Sequence, residues 1–464
     1  MVSSEDRILN AIDLNDPIDR IPKMEIFGSI LPTIQYLFNF HWFPQKIQNG
    51  ISNIMRESVN TVREILRMKK PESNVSSRFG RILRRVKFID TIAKKTVGDM
   101  SRKKSEQEIK KADDTTVNFS ALGMHLPIKL GYDLYSLILL QSPDTFSSFE
   151  KAPDGNYYLL SNEGAFYDIN PDDLEIMPKG VNDLNIHTKI EASKRYYQDV
   201  DIERWANLFE RTINKRIGRK KIKDLILPSI LTVGIFETWL TTFGNFNMQG
   251  FFKEVMAEWR KGGGPYFELL QVKTEILCNL IKRLSEVDGY RVHIIGDDCA
   301  EINGPFLPPK IYKEFIAIHT KKIVSEAHKH DLKVLFHTDG NFKLTAADDP
   351  KKQWEYMNII LDMKIDAFHP LEMRAMDIQE IKENFGDKIC LCNGMDTIEL
   401  QNGTRKSVAR MVKTVLDKVY KGGGNRINGY MAGSDNSLFG GVNLCLVKQM
   451  VHTIDEFSQK ILKL

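Results

Sequence analysis

The chain has 464 residues, long for one ordinary domain but within reach of a single α/β barrel carrying insertions. Hydrophobic residues at 42% and charged residues at 27% describe a soluble globular protein with a large core, and no run of about 18 apolar residues is present to span a bilayer. The net charge of +4 is unevenly spread: residues 63–111 hold sixteen Lys/Arg against six Asp/Glu, which leaves the remainder at −6.

Met1-Val-Ser-Ser-Glu-Asp6 lacks a basic segment followed by an apolar one, so a cytoplasmic location is expected. Five cysteines, few and odd in number, suit reduced thiols rather than a disulfide framework. Cys390-Leu-Cys392 lies in an apolar run and reads as core rather than as a metal site.

Residues 4–13 read as a helix with Ser4 as N-cap and Ile8, Leu9 and Ile12 on one face. A first strand spans Lys23 to Phe27, and the apolar, aromatic-rich segment Ile30 to Phe43 packs on or covers the barrel. Residues 53–114 read as an inserted, strongly basic helical element, including Arg78, Arg81, Arg84 and Arg85. Its only aromatic residues are Phe79 and Phe88, too few for a stacking platform, so no nucleic-acid partner is expected. Three parts follow: an N-terminal helix and first strand over 1–52, the insertion over 53–114, and the rest of the barrel over 115–464.

A second strand is expected at Gly131 to Ile138, a β-hairpin over Asn156 to Ile169, a helix at Asp201 to Thr212 and a third barrel strand at Asp224 to Ile230, running on toward Glu237 and Trp239. Strand-like runs at Arg291–Ile295, Lys333–His337, Ala367–Phe368, Lys388–Leu391 and Asn428–Met431 then alternate with helical stretches at Pro309–His328, Lys351–Met363, Met376–Phe385, Thr404–Tyr420 and Val442–Ile461. Eight strands alternating with helices predict a closed (β/α)8 barrel. An open doubly wound sheet fits less well, because the first strand-to-helix turn lacks G-x-G-x-x-G and no P-loop is present.

Chemistry in such a barrel sits at the C-terminal ends of the strands. Here those ends carry Glu25, Glu237, Asp297-Asp298, His337-Thr-Asp339, His369-Pro-Leu-Glu372, Asn393-Gly-Met-Asp396 and Ser434-Asp435-Asn436. One such ending is turn chemistry; so many on one rim point to a charged or metal-bearing site. His and carboxylates can hold a divalent ion, act as general acid and base, or bind a polar substrate. His337, Asp339, Asp298 and Glu372 are the candidate catalytic residues, with His337 and Asp339 also the candidate metal ligands. Glu237, Asp297, His369, Asp396, Ser434 and Asn436 are the candidate substrate-binding residues.

Taken in order, Arg7-x3-Ala11 with Pro17-Ile-Asp-Arg-Ile-Pro22, Gly234-Ile-Phe-Glu237, Gly296-Asp-Asp298, His337-Thr-Asp-Gly-Asn341, Gly394-Met-Asp396 and Gly433-Ser-Asp-Asn436 resemble the uroporphyrinogen decarboxylase superfamily. The resemblance covers the first thirty residues and most of the chain after Gly131, and implies a (β/α)8 barrel. Its decarboxylases grip an acidic tetrapyrrole with an Arg-rich loop, where this chain has Phe27-Gly-Ser-Ile-Leu-Pro32. Its corrinoid-dependent methyltransferases hold zinc with H-x-C and a later Cys, where this chain has His337, Asp339 and Ser434. The resemblance therefore implies methyl transfer between a small methylated substrate and a cobalamin protein, with zinc or a harder ion held by His337, Asp339 and a carboxylate such as Glu237 or Glu372. The alternatives it leaves are a tetrapyrrole decarboxylase, and a non-catalytic barrel that binds a tetrapyrrole or corrinoid protein and docks through the basic insertion.

Overall fold

The run Lys333–His337 is buried along its apolar residues, as a β-branched and aromatic segment covered on both faces must be. In the computed structural model, which describes residues 2–26, 225–242, 248–344, 349–438 and 441–462 and parts of 110–216, it is one of eight parallel strands forming the sheet. The barrel strands are β1 (Met24–Ile26), β2 (Leu134–Leu137), β7 (Leu227–Val233), β8 (Val292–Gly296), β11 (Lys333–His337), β12 (Ala367–His369), β13 (Cys390–Cys392) and β14 (Tyr430–Met431). The order β1-β2-β7-β8-β11-β12-β13-β14 closes on itself where the Met24 N–H donates to the Ala432 carbonyl at 3.0 Å and the Ala432 N–H to Pro22 at 2.9 Å. A closed (β/α)8 barrel is the result, as the alternation of strands and helices predicts.

Every strand contributes to one buried apolar cluster, including Met24, Leu134, Leu227, Ile294, Leu335, Ala367, Cys390, Cys392 and Met431, which fills the lumen. Cys390 and Cys392 are core, as read from the sequence. Ile8, Ala11 and Ile12 join that cluster from the helix Ser4–Ile12 and plug the N-terminal end. The cap of this helix is Ser3 rather than Ser4: Ser3 and Asp6 form a capping box, while the Ser4 hydroxyl donates to Asp133 at 2.9 Å. Asp133 also accepts from Arg7 at 3.2 Å, Arg20 at 2.7 Å and the Lys23 N–H at 3.0 Å, tying the plug to the start of β2.

Three stretches depart from the sequence reading. Glu237 and Trp239 are not on a strand extension: β7 stops at Val233 and the helix Ile235–Thr242 begins. Gly234 permits that reversal, since a Cβ there would lie 2.4 Å from Asp297 Cγ. The expected hairpin is the middle of a four-stranded antiparallel sheet, β3 (Phe146–Lys151), β4 (Tyr157–Ser161), β5 (Ala165–Ile169) and β6 (Ile176–Val181), and two short strands after β8, β9 (Ala300–Glu301) and β10 (Gly304–Pro305), pair with each other. Its outer strands lack clean alternation, and β6 contains Pro178, a residue suited to an edge. The helix expected over 309–328 is interrupted by a π-helical segment, Lys313–Ala317, whose extra residue per turn no apolar period records. The basic insertion read over 53–114 lies outside the described residues except at its last few positions, and the segment 30–43 lies wholly outside them.

Candidate functional site

Side chains alternate along a strand, so His337 shares the inward face of Leu335, and His369 that of Ala367. The parallel register sets His337 beside His369 on one side and beside Gly296 on the other, where no side chain competes for the space. The imidazoles meet with Nδ1 to Nδ1 at 2.8 Å. His369 is fully buried, and burial, with His337 adding to it, holds its pKa well below the ordinary histidine value. It stands behind His337, not at the open mouth where a substrate-binding residue was expected.

Asn393 follows β13 with φ 68°, in the left-handed region where Asn is among the better tolerated residues. Its Nδ2 donates to His369 Nε2 at 2.8 Å and to the Ser434 carbonyl at 2.7 Å, while its Oδ1 is buried with no partner. The Ser434 hydroxyl donates to Glu25 Oε1 at 2.6 Å, and Tyr132 donates to Glu25 Oε2 at 3.2 Å. Burial pushes the Glu25 carboxyl up to about 8. Ser434 thus links the ends of β1 and β13, facing inward.

In front of His337 lie the carboxylates. Ligating atoms of Asp298, His337 and Asp339 all fall within 4.8 Å of one another, and among the described residues this is the one such group of His, Cys, Asp or Glu. The Asp339 N–H donates to Asp298 Oδ1 at 3.3 Å, Asn436 donates to Asp339 Oδ2 at 2.6 Å, and Asp339 Oδ1 is buried without a partner. Burial, with Asp298 and Glu372 adding to it, pushes Asp339 up to about 7. Glu372 accepts the Gly340 N–H at 2.9 Å. Gly340, at φ 103°, lets the turn pass the Ala300–Glu301 backbone, where a Cβ would approach within 2.7 Å.

Glu237, at the start of the helix Ile235–Thr242, has its carboxyl raised well above the ordinary glutamate value. The cause is burial first, then the charges of Asp298, Asp297 and Asp339, with Lys273 opposing them. Asp297 accepts the Glu237 N–H at 2.9 Å and so caps that helix, while its other oxygen is buried and unpartnered; burial pushes it up to about 7. Asp396, expected to contact substrate, caps the helix Thr397–Asn402 and pairs with Arg374 at 2.6 Å. The structure therefore gathers His337, Asp339, Asp298, Glu372, Glu237 and Asn436 at the mouth, places His369 and Ser434 behind it, and turns Asp297 and Asp396 to helix caps. Sequence reasoning missed the roles of Asn393 and Lys273. Asn393-Gly394 after an apolar run marked a turn but nothing more, and Lys273 sits in an amphipathic helix without any local signal.

The fold and the acid-rich mouth define an α/β-barrel protein with its candidate site at the C-terminal ends of the strands. The uroporphyrinogen decarboxylase (URO-D) family model matches residues 251–457, which carry five of the eight barrel strands. The first thirty residues and those from 131 to 250, included in the sequence resemblance, lie outside the matched stretch. A methyltransferase from Methanosarcina mazei superposes with TM-score 0.59 over 98% of this chain and 99% of that one at 12% identity, a likeness of fold. A sugar phosphate isomerase/epimerase from Parabacteroides distasonis aligns over 57% of this chain and 91% of that one at 16% identity, and its TM-score of 0.29 carries no argument. No curated protein matches the sequence. Among the described residues no helix is long and apolar enough to cross a membrane.

Proposed function

We propose that this protein is a methyltransferase that moves a methyl group between a small O- or N-methylated substrate and a corrinoid carried by a partner protein. In this reading a divalent ion is held by His337, Asp339 and Asp298. The observation that carries it is the convergence of those three residues within 4.8 Å. The orphaned Asp339 Oδ1 is a buried oxygen awaiting a cation or a donor, and one imidazole with two carboxylates suits a hard or borderline ion better than a thiolate-rich zinc site. Such an ion would polarise the donor heteroatom as a Lewis acid.

The chain's own groups supply the rest. As the methyl group leaves without the bonding electrons, these stay on the donor oxygen or nitrogen, which then takes a proton. We assign that proton to Glu237, whose carboxyl burial and the neighbouring acids raise well above its ordinary value. Asp339 and Glu372 orient the donor, with Asn436 holding Asp339. A polycarboxylate such as a uroporphyrinogen would meet like charge at this mouth, which favours methyl transfer over tetrapyrrole decarboxylation.

Metal analysis and cobalt(II) titration of the purified protein test the ion. Near-stoichiometric binding, lost in His337→Ala and Asp298→Asn, is expected, whereas a protein that binds no zinc, cobalt or manganese removes the metal. Demethylation of methylated amines and ethers, followed by the absorbance change of added cob(I)alamin, tests the reaction; silence across both classes rejects it.

A further inference from the structure

The hydrogen-bond chain behind His337 ends on an atom that has no choice. The Ser434 carbonyl can only accept, so the Asn393 atom 2.7 Å from it must be Nδ2 whichever way an amide is first drawn. The same Nδ2 lies 2.8 Å from His369 Nε2, and its second hydrogen points there, so His369 Nε2 must accept. A neutral imidazole that accepts at Nε2 carries its proton at Nδ1. That proton faces His337 Nδ1 at 2.8 Å, which in turn must accept, and the proton of His337 is left on Nε2. We infer that Asn393, acting through His369, is a positioning residue that locks His337 as the Nε2–H tautomer, so that His337 turns a proton rather than a lone pair toward the ion-free mouth.

Two further observations support the lock. Asn393 Oδ1 is fully buried and unpartnered, a cost that follows from committing Nδ2 to two acceptors. The backbone also holds the amide in place: the Asn393 N–H donates to the Met431 carbonyl at 2.7 Å, the Tyr430 hydroxyl donates to the Asn393 carbonyl at 2.7 Å, and Gly433 leaves room where a Cβ would lie 2.6 Å from Oδ1.

The consequence for ion binding rests on the function proposed above. With His337 Nδ1 engaged by His369, a lone pair for an ion has to come from Nε2, which the lock keeps protonated. Loading the site therefore requires the protons on both imidazoles to change nitrogen and the Asn393 amide to release either Ser434 or His369. Asn393→Asp removes the obstacle, because a carboxylate accepts from His369 Nε2–H and frees His337 Nε2.

Long-range 1H–15N correlation spectra of the 15N-histidine-labelled, ion-free full chain read the tautomers directly, with His337→Gln and His369→Gln providing the assignments. The expected result is His369 protonated at Nδ1 and His337 at Nε2; a protonated His337 Nδ1 overturns the inference, and this measurement needs no folded variant at position 393. In Asn393→Asp both tautomers should reverse, and cobalt(II) affinity should rise about 10- to 100-fold, the size of effect typical of groups that orient a metal-bound histidine. Unchanged 15N shifts in a folded Asn393→Asp also overturn it. If the spectra show the expected tautomers while His337→Ala leaves cobalt binding untouched, the ion reading fails and the tautomer lock stands.

Discussion

The two ends of this barrel bury carboxylates in opposite ways. At the N-terminal end Asp133, fully buried, is met by Ser4, Arg7, Arg20 and the Lys23 N–H. At the C-terminal mouth Glu237, Asp297, Asp298, Asp339 and Glu372 crowd together, and oxygens of Asp297 and Asp339 have no partner. The first arrangement spends cations and donors to hold a plug in place. The second leaves charge uncompensated, which costs stability and creates affinity for whatever cation or proton arrives. The same residue type is structural where its partners are built in and chemical where they are withheld.

The largest effect should come from breaking the compensated end. Asp133→Ala removes the buried acceptor shared by Ser4, Arg7, the partly buried Arg20 and the Lys23 N–H, leaving Arg7 only Asp19, and should cost about 3–5 kcal/mol in urea unfolding. Asp339→Asn at the mouth should cost little or raise stability in the absence of divalent ions at neutral pH, since it removes one of the crowded charges. Equal losses at the two ends would end the comparison.

pH separates the ends further. The Asp297 and Asp339 carboxyls are raised from 3.8 to about 7, so over that window the folded state binds more protons than the unfolded one. Unfolding free energy of the ion-free protein should therefore fall as pH rises from about 4 to 7. The slope should be shallower in Asp339→Asn, and an unchanged slope would mean that Asp339 titrates normally. The smallest effect belongs to the rim pair Arg374–Asp396, half of which is exposed to solvent. Arg374→Ala should change stability by less than about 1 kcal/mol, and a larger loss would show that this pair is part of the buried mouth rather than its edge.

Much of this was legible in the residues. Lys333–His337 is a strand with the bounds its apolar run suggests, and the eight strand-like runs are the eight staves, because a strand buried on both faces has to be written in Val, Ile, Leu and Phe. Polar residues that end those runs reach one rim because the parallel topology sends every C-terminal end the same way. Glu237 was placed on the wrong element, since nothing local shows that Gly234 yields to Asp297, sixty-three residues later, and lets a helix start there.

The sequence by itself determined the barrel, its N-terminal helix and the ring of His and carboxylate residues, because these follow from periodicity and strand direction, which are local. Only the tertiary structure decided which of them act together. Asp297 and Asp396 became caps, Asp298 joined His337 and Asp339, and His369 withdrew behind His337 between that imidazole and Asn393. The physical reason is register and closure: side chains from strands far apart in the chain meet within hydrogen-bond distance, and where a proton or an ion can sit depends on those distances.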